Sequence, residues 1–313
     1  MQTKSLFIKM SDGFEIAVNR WLPDSPEDIK GVIQLHHGLA EHSMRYDRLG
    51  SILAEQGWVL NAYDMRGHGR TAENALTKGK GIFGKLADKD GFNRVVEDLH
   101  EMIDNMKSDF SGKKIILLGH SFGSFVSQGY IEKYGKDIDA CILCGTAGPN
   151  PGLINMGSFI ANLVKSIKGP DSIVPLLSKL SFGSYNKRIE NPISDNAWLS
   201  KNETNVQMYE ADQWCGFPLT TSFFCDMTTG LKMIHKMSNI KQIPNELPVF
   251  FIFGSEDPVG AYGKSIRKLH KIYQDKGMKK VYIKEYAGDR HEILNEDDKE
   301  TVEADILGWI SNI

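Results

Sequence analysis

The sequence predicts an α/β protein: a mostly parallel, eight-stranded sheet with helices on both faces and a helical segment inserted late in the chain. Three observations carry this. Apolar runs of strand length alternate with segments whose apolar residues recur at helical spacing. One junction between them, Ile115-Ile116-Leu117-Leu118-Gly119-His120-Ser121-Phe122-Gly123, reads as a buried strand, a sharp turn and a helix start. From about Gly148 to about Gly216 the alternation stops, and Pro170, Pro175 and Pro192 punctuate an irregular stretch.

In chain order, Ser5 to Met10 and Phe14 to Leu22 read as two strands joined at Asp12-Gly13, a hairpin turn signal. Val32 to His36 is the third strand, followed by the polar loop His37 to Ser43 and a helix carrying Leu49, Ile52 and Leu53 on one face. Trp58 to Tyr63 is the next strand. It runs into Asp64 to Arg70, and the glycines at 67, 69, 79, 81, 84 and 91 predict a loop up to Gly91. Phe92 to Met106 has helical spacing, with Val95, Val96, Leu99, Met102, Ile103 and Met106 in one stripe. After the Gly119–Gly123 turn and its helix comes the strand Ala140 to Leu143. In the irregular stretch, Leu153, Met156, Ile160, Leu163, Val164 and Ile167 repeat at helical spacing, a face that lines a cavity or packs onto the sheet domain. A helix near Thr220 to Met237, the strand Pro248 to Phe253, a helix from Tyr262 to Lys276 and the strand Lys280 to Tyr286 resume the rhythm. The last helix is expected from Asp297, with Glu296, Asp297 and Asp298 complementing its dipole.

Composition bounds the function. The length of 313 residues allows one large domain or two ordinary ones. A net charge of -3 offers no electrostatic footprint for nucleic acid or an anionic membrane. Cys141 and Cys144 lie in an apolar strand, where their side chains point to opposite faces, so packing explains them better than a redox pair or a metal site. With Cys215 and Cys225 they are read as reduced thiols. No cofactor or metal motif stands out. The N-terminus has no apolar leader pattern, and no run approaches the ~18 apolar residues of a membrane span, which points to a cytoplasmic protein.

The chemistry centres on Ser121. A nucleophile at the tip of a strand-to-helix turn needs small neighbours, which Gly119 and Gly123 provide, and the helix N-terminus behind it offers free N–H groups. A serine hydroxyl also needs a base, and the base a third group to orient it. Of nine histidines, His100, His235 and His270 fall in helices. His36, His37, His42 and His68 follow early strands, and only His291 follows the last one, in a Gly-containing loop. For the acid, Asp257 follows the strand ending at Phe253 and precedes Pro258, which biases it to extended backbone. Glu256 and Asp289 are its rivals. The N–H groups of Phe122 and Leu39 are expected to hold an oxyanion, with Gly38 and His120 in support. A plain turn explains His37-Gly38 equally well.

These segments together resemble the α/β-hydrolase superfamily. The combination His36-His37-Gly38-x-x-Glu41-His42-Ser43-x-Arg45-Tyr46, Asp64-x-Arg66-Gly67-His68-Gly69 and Gly119-His120-Ser121-x-Gly123 is narrower, and resembles the branch of monoacylglycerol lipases, lysophospholipases and serine aminopeptidase-like proteins. The resemblance implies a serine esterase with Ser121, Asp257 and His291 as triad and a structural role for His68. It also implies a core of residues 1–147 and 217–313 with a helical cap at 148–216. The expected substrate is a monoacylglycerol or lysophospholipid, with transient contact of the cap with a membrane surface. Three other readings stand beside it. One is a small-ester carboxylesterase. Another is an aminopeptidase, which needs a cap carboxylate such as Glu190, Asp195, Glu203, Glu210 or Asp212. The third is an inert binding module on the same fold.

Overall fold

A single eight-stranded sheet organises the structure, a computed structural model describing residues 1–313. Its strands are β1 (Gln2–Lys9), β2 (Glu15–Leu22), β3 (Gly31–His36), β4 (Trp58–Tyr63), β5 (Lys114–His120), β6 (Ala140–Cys144), β7 (Val249–Gly254) and β8 (Val281–Tyr286). They lie in the order β1-β2-β4-β3-β5-β6-β7-β8. The β1–β2 and β2–β4 pairs are antiparallel and the rest parallel. Every residue of β3, β4, β6 and β7 is buried, which is why β6 and β7 read as apolar runs without alternation, while the polar Gln34 and Asn61 inside β3 and β4 pair with each other, Asn61 Nδ2 donating to Gln34 Oε1 at 2.7 Å. The hairpin turns at Gly13, whose φ of +81° suits glycine.

The helices are α1 (Asp47–Glu55), α2 (Gly69–Thr77), α3 (Gly91–Asp109), α4 (Phe122–Tyr134), α5 (Pro151–Lys168), α6 (Pro175–Phe182), α7 (Glu203–Ala211), α8 (Thr221–Ile234), α9 (Met237–Ile240), α10 (Lys264–Asp275) and α11 (Lys299–Ile310). Packing of α3, α4, α8 and α10 on one face of the sheet buries Val95, Leu99, Val126, Phe223 and Leu269 in the larger apolar core. On the other face α1 and α11 bury Leu49, Leu53, Val302 and Ile306. Cys141 belongs to the first core and Cys144 to the second, and all four cysteines are free and buried. No helix is long and apolar enough to cross a membrane.

Three expectations need correction. The stretch expected as a loop up to Gly91 contains α2. Its glycines sit at or beyond the helix ends, and Thr71 ties the helix to the sheet by accepting from Ala17 N–H at 2.8 Å. The last helix starts at Lys299, so Glu296 is not in its first turn. Instead its carboxylate accepts from Ser200 Oγ, Lys201 N and Arg290 N at 2.8 to 3.1 Å. Finally, the apolar stripe of α5 is split. Small residues, Ser158 and Ala161, are the buried ones on this helix, whose principal neighbour is α8. Ile160 and Val164 are half-buried, whereas Leu153, Met156, Leu163 and Ile167 point to solvent with Phe159. Residues 148–216 hold α5, α6 and α7 but no strand of the sheet.

Candidate active site

Ser121 follows β5 and precedes α4, with φ +53° and ψ −121°, a conformation that strains any residue with a Cβ. The turn is held by Ser121 N–H donating to the Cys144 carbonyl at 2.9 Å and Ser124 N–H donating back to the Ser121 carbonyl at 2.8 Å. Its flanking glycines are required by contact. A Cβ on Gly119 would collide with Ser127 Oγ and the Gly123 carbonyl, and one on Gly123 would collide with the carbonyls of His36 and His37. Ser121 is buried, at 7% exposure.

His291 and Asp257 meet. His291 Nδ1 lies 3.0 Å from Asp257 Oδ2, with both side chains buried. Asp257 Oδ1 accepts from Val259 N–H at 2.8 Å, which fixes the carboxylate plane. Nε2 of His291 is buried and has no hydrogen-bond partner. That leaves one imidazole nitrogen oriented by a carboxylate and the other open. The rival acids lie elsewhere: Glu256 is exposed, and Asp289 pairs with Lys201 while burial raises its carboxyl to about 6.

Leu39 and Phe122 place two backbone donors near the turn. Phe122 opens α4, so its N–H has no acceptor within the helix, and Leu39 N–H makes no bond to another residue. Gly38 packs directly on the turn, since a Cβ there would come within 3.0 Å of Ser121 Cβ. Gly38 N–H donates to Glu41 Oε1 at 2.5 Å, which sets the peptide ahead of Leu39.

The early histidines divide once packed. His36, His37 and His68 are buried as neutral rings, their basicity lowered chiefly by burial, His36 to about 3. His37 Nε2 accepts from Met65 N–H at 3.0 Å, and the His68 ring packs edge-on against Phe217. They support the sheet edge and make no hydrogen bond to Ser121, Asp257 or His291. His42 Nε2 instead meets Asp212 Oδ2 at 2.8 Å, joining the loop after β3 to the end of α7. Cys215 lies within reach of the same pair, but burial pushes its thiol up, against the thiolate that a metal would need. The pair therefore reads as a joint between two segments.

Glu41 and Arg45 belong to the motif after β3, but the partners they meet carried no sequence signal. Arg45 makes a bidentate pair with Glu292 at 2.6 and 2.7 Å and a further contact with Glu41 at 3.0 Å. Burial works to raise the Glu41 carboxyl, but the His120 hydrogen bond and the Arg45 charge outweigh it and hold it well below its ordinary value. From residues 148–216, Asn205 donates to Glu292 at 2.7 Å, Tyr209 Oη donates to the Ala40 carbonyl at 2.9 Å, and Trp198 packs on the His291 ring. Nothing in their spacing marks them, because the partners lie far away in sequence.

A family model described as serine aminopeptidase, S33, matches residues 27–298. The monoacylglycerol lipase of Mycolicibacterium smegmatis is 24% identical over 305 residues, covering 95% of this chain and 93% of its own. The human monoglyceride lipase is 26% identical over 276 residues, covering 84% and 80%. Among solved structures, a thermostable carboxyl esterase from Bacillus coagulans, crystallised with glycerol, superposes with a TM-score of 0.89 at 29% identity, covering 100% of this chain and 99% of its own. Fold and relatives define an α/β-hydrolase, within the class of carboxylic ester hydrolases. The chain belongs to the serine aminopeptidase, S33, family, on the branch that includes the monoacylglycerol lipases.

Proposed function

We propose that the protein hydrolyses carboxylic esters of single-chain acyl groups, such as monoacylglycerols or lysophospholipids, through an acyl-Ser121 intermediate. The observation that carries this is the His291 imidazole, held by Asp257 through Nδ1 and left without a partner at Nε2, in a chain whose Ser121 sits in a strained strand-to-helix turn. His291 takes the Ser121 proton as Oγ attacks the ester carbonyl, and returns it to the departing alcohol oxygen as the ester C–O bond breaks. Water then attacks the acyl-enzyme with His291 again as base, which releases the acid and restores Ser121. Leu39 and Phe122 N–H groups stabilise the tetrahedral oxyanion, with Gly38, Gly119, Gly123 and His120 supporting the geometry. No step calls for a cofactor.

Residues 148–216 are proposed as a cap over this site. The names of the lipase relatives and the apolar outer face of α5 and α6 favour a lipid ester, presented by transient contact of that face with a membrane surface. A small-ester carboxylesterase is the second reading, favoured by the likeness to the Bacillus coagulans esterase. Aminopeptidase activity is less well supported. Glu190, Asp195, Glu203 and Glu210 are exposed, and Asp212 is engaged by His42. Fluorophosphonate labelling of Ser121, followed by kcat/KM over esters of graded chain length, tests the reading. Labelling with rising selectivity beyond butyrate supports it. Labelling without that rise leaves a small-ester esterase, and no labelling leaves a binding module.

A further inference from the structure

His120 is the residue before the nucleophile, at the end of β5, and the proposed chemistry gives its ring no proton to carry and only a supporting place. The ring is buried and sits between two loops. Its Nδ1 lies 3.2 Å from Glu41 Oε1, and its Nε2 lies a longer 3.4 Å from the backbone carbonyl of His291. Both partners are pure acceptors, so both contacts are hydrogen bonds only when the ring carries two N–H groups. A neutral imidazole has one. The same Glu41 oxygen accepts from Gly38 N–H at 2.5 Å and Tyr46 Oη at 2.9 Å, so it is the anchor of the loop that presents Leu39.

We propose that His120 works as a doubly donating, positively charged clamp, a positioning residue that ties the oxyanion loop through Glu41 to the backbone of His291, and that hydrolysis weakens when this ring loses a proton. The inference rests on the reading of Ser121 and His291 as nucleophile and base.

The surrounding charges favour the doubly protonated ring. Burial works against it, but the hydrogen bond to Glu41 and the charges of Glu41 and Glu292 outweigh burial and raise its basicity above the ordinary imidazole value. The groups facing it from each packed element are few. Glu41, Arg45 and Tyr46 come from the segment after β3, and His291 with Glu292 from the loop after β8. Cys144 on β6 is buried, and its thiol is pushed well up. Arg45 is the one cation among them, and it is occupied by Glu41 and Glu292. The His120 and His291 rings lie 4.9 Å apart, so an uncharged His120 changes both the position and the electrostatics of the base's surroundings.

Loss of the His120 proton frees either Glu41 or the His291 carbonyl. In the first case Gly38 and Leu39 lose their brace, and in the second the base loses a backbone tether. Each lowers turnover more than binding, because both loops act on the transition state.

The test uses the full chain. NMR of the ¹⁵N-histidine-labelled protein should show two ring N–H protons on His120 at pH 6, one of which disappears as pH rises. On a short, soluble ester, wild-type kcat should fall on the alkaline side with the same midpoint. His120→Gln, whose amide restores one donor, should lower kcat by roughly 10- to 100-fold with KM changed less than threefold, and should lack that alkaline fall. Glu41→Gln should remove the second ring proton by withdrawing the counter-charge. A His120 that holds one N–H at every pH overturns the clamp. So does a folded His120→Gln whose kcat stays within twofold of wild type, or one that keeps the alkaline fall. If Ser121→Ala retains turnover, the hydrolytic reading fails separately, while the count of ring protons still decides the clamp.

Discussion

The Trp198 indole lies 5.1 Å, centroid to centroid, from the His291 imidazole, at an interplanar angle of 42°. Tyr185 packs edge-on behind it at 4.9 Å. The backbone beside Trp198 is fastened to the loop carrying His291. Leu199 accepts from Glu292 N–H at 2.7 Å, and Arg290 Nη1 donates to the carbonyls of Ala197 and Ser200 at 2.7 and 3.0 Å. The proposed base thus has one wall supplied by a segment outside the sheet. An aromatic pair of this kind contributes about 0.5–1.5 kcal/mol beyond burial. Trp198→Leu should lower kcat/KM by roughly two- to tenfold, and Trp198→Phe should recover most of the loss. Steady-state kinetics on a soluble ester decide it, and wild-type rates in Trp198→Leu would leave the indole a packing residue.

The choice of acid is tested next to its neighbour. Asp257 is fully buried against His291, whereas Glu256 is exposed. Asp257→Asn keeps the shape but favours the wrong imidazole tautomer, with an expected loss of about 10⁴ in kcat. Glu256→Gln should stay within twofold of wild type. The reverse pattern would move the acid to Glu256. Ser121→Ala or His291→Ala should cost about 10⁴ or more, with a small residual rate from the oxyanion donors.

Glu132 yields a prediction about stability. Its carboxyl sits in α4 with Oε1 unpartnered, and burial raises it from 4.5 to about 9. The folded state therefore keeps a proton that the unfolded chain releases above 4.5. Folding stability from this group is lost progressively as pH rises from about 4.5 to about 9. Glu132→Gln removes that dependence. Its Tm should match wild type near pH 4.5 and rise above it at higher pH, with up to about 1.4 kcal/mol gained per pH unit. Thermal melts from pH 5 to 8.5 check this, and a constant or shrinking difference contradicts it.

How much of this was legible in the sequence follows from the range of the interactions. The turn at Ser121 was readable because its chemistry is local: two glycines, one serine, an apolar strand before and a helix after. Asp257 and His291 were readable from their places after β7 and β8, since a parallel sheet gathers strand ends on one edge. Helix α2 was not, because the glycines that suggest a loop turned out to bound a helix. The Arg45–Glu292 pair spans 247 residues, and Trp198 reaches His291 from a separate segment far upstream, so neither leaves a spacing pattern. The α5 stripe was visible as periodicity, but its exposure was not. Burial is decided by the small residues on the adjoining face, which let α5 settle on α8 and turn the large side chains outward.

That outward face bears on how a substrate arrives. Phe159 is 71% exposed and Ile167 69%, with Leu153, Met156 and Leu163 beside them and Leu176 and Leu180 exposed on α6. Monomeric proteins rarely leave so many large apolar side chains together in water without a use for them. Lys168 and Lys179, exposed in the last turns of these helices, add positive charge to the same segment. A face of this kind suits the surface of an anionic bilayer, where each large apolar side chain that enters contributes at most about 1.5–3 kcal/mol. Phe159→Ser combined with Ile167→Ser should then weaken sedimentation with phosphatidylglycerol vesicles at least tenfold. Hydrolysis of monoacylglycerol carried in those vesicles should fall in parallel. Hydrolysis of a soluble short-chain ester should stay within twofold, because neither side chain touches the site around Ser121. Met156→Trp, on the same outer face, should leave chain-length preference unchanged, whereas Ile160→Trp, half-buried against the core, should shorten it if α5 borders the acyl site. Equal sedimentation of wild type and the double variant would remove the membrane from this account and leave the soluble-ester reading in its place.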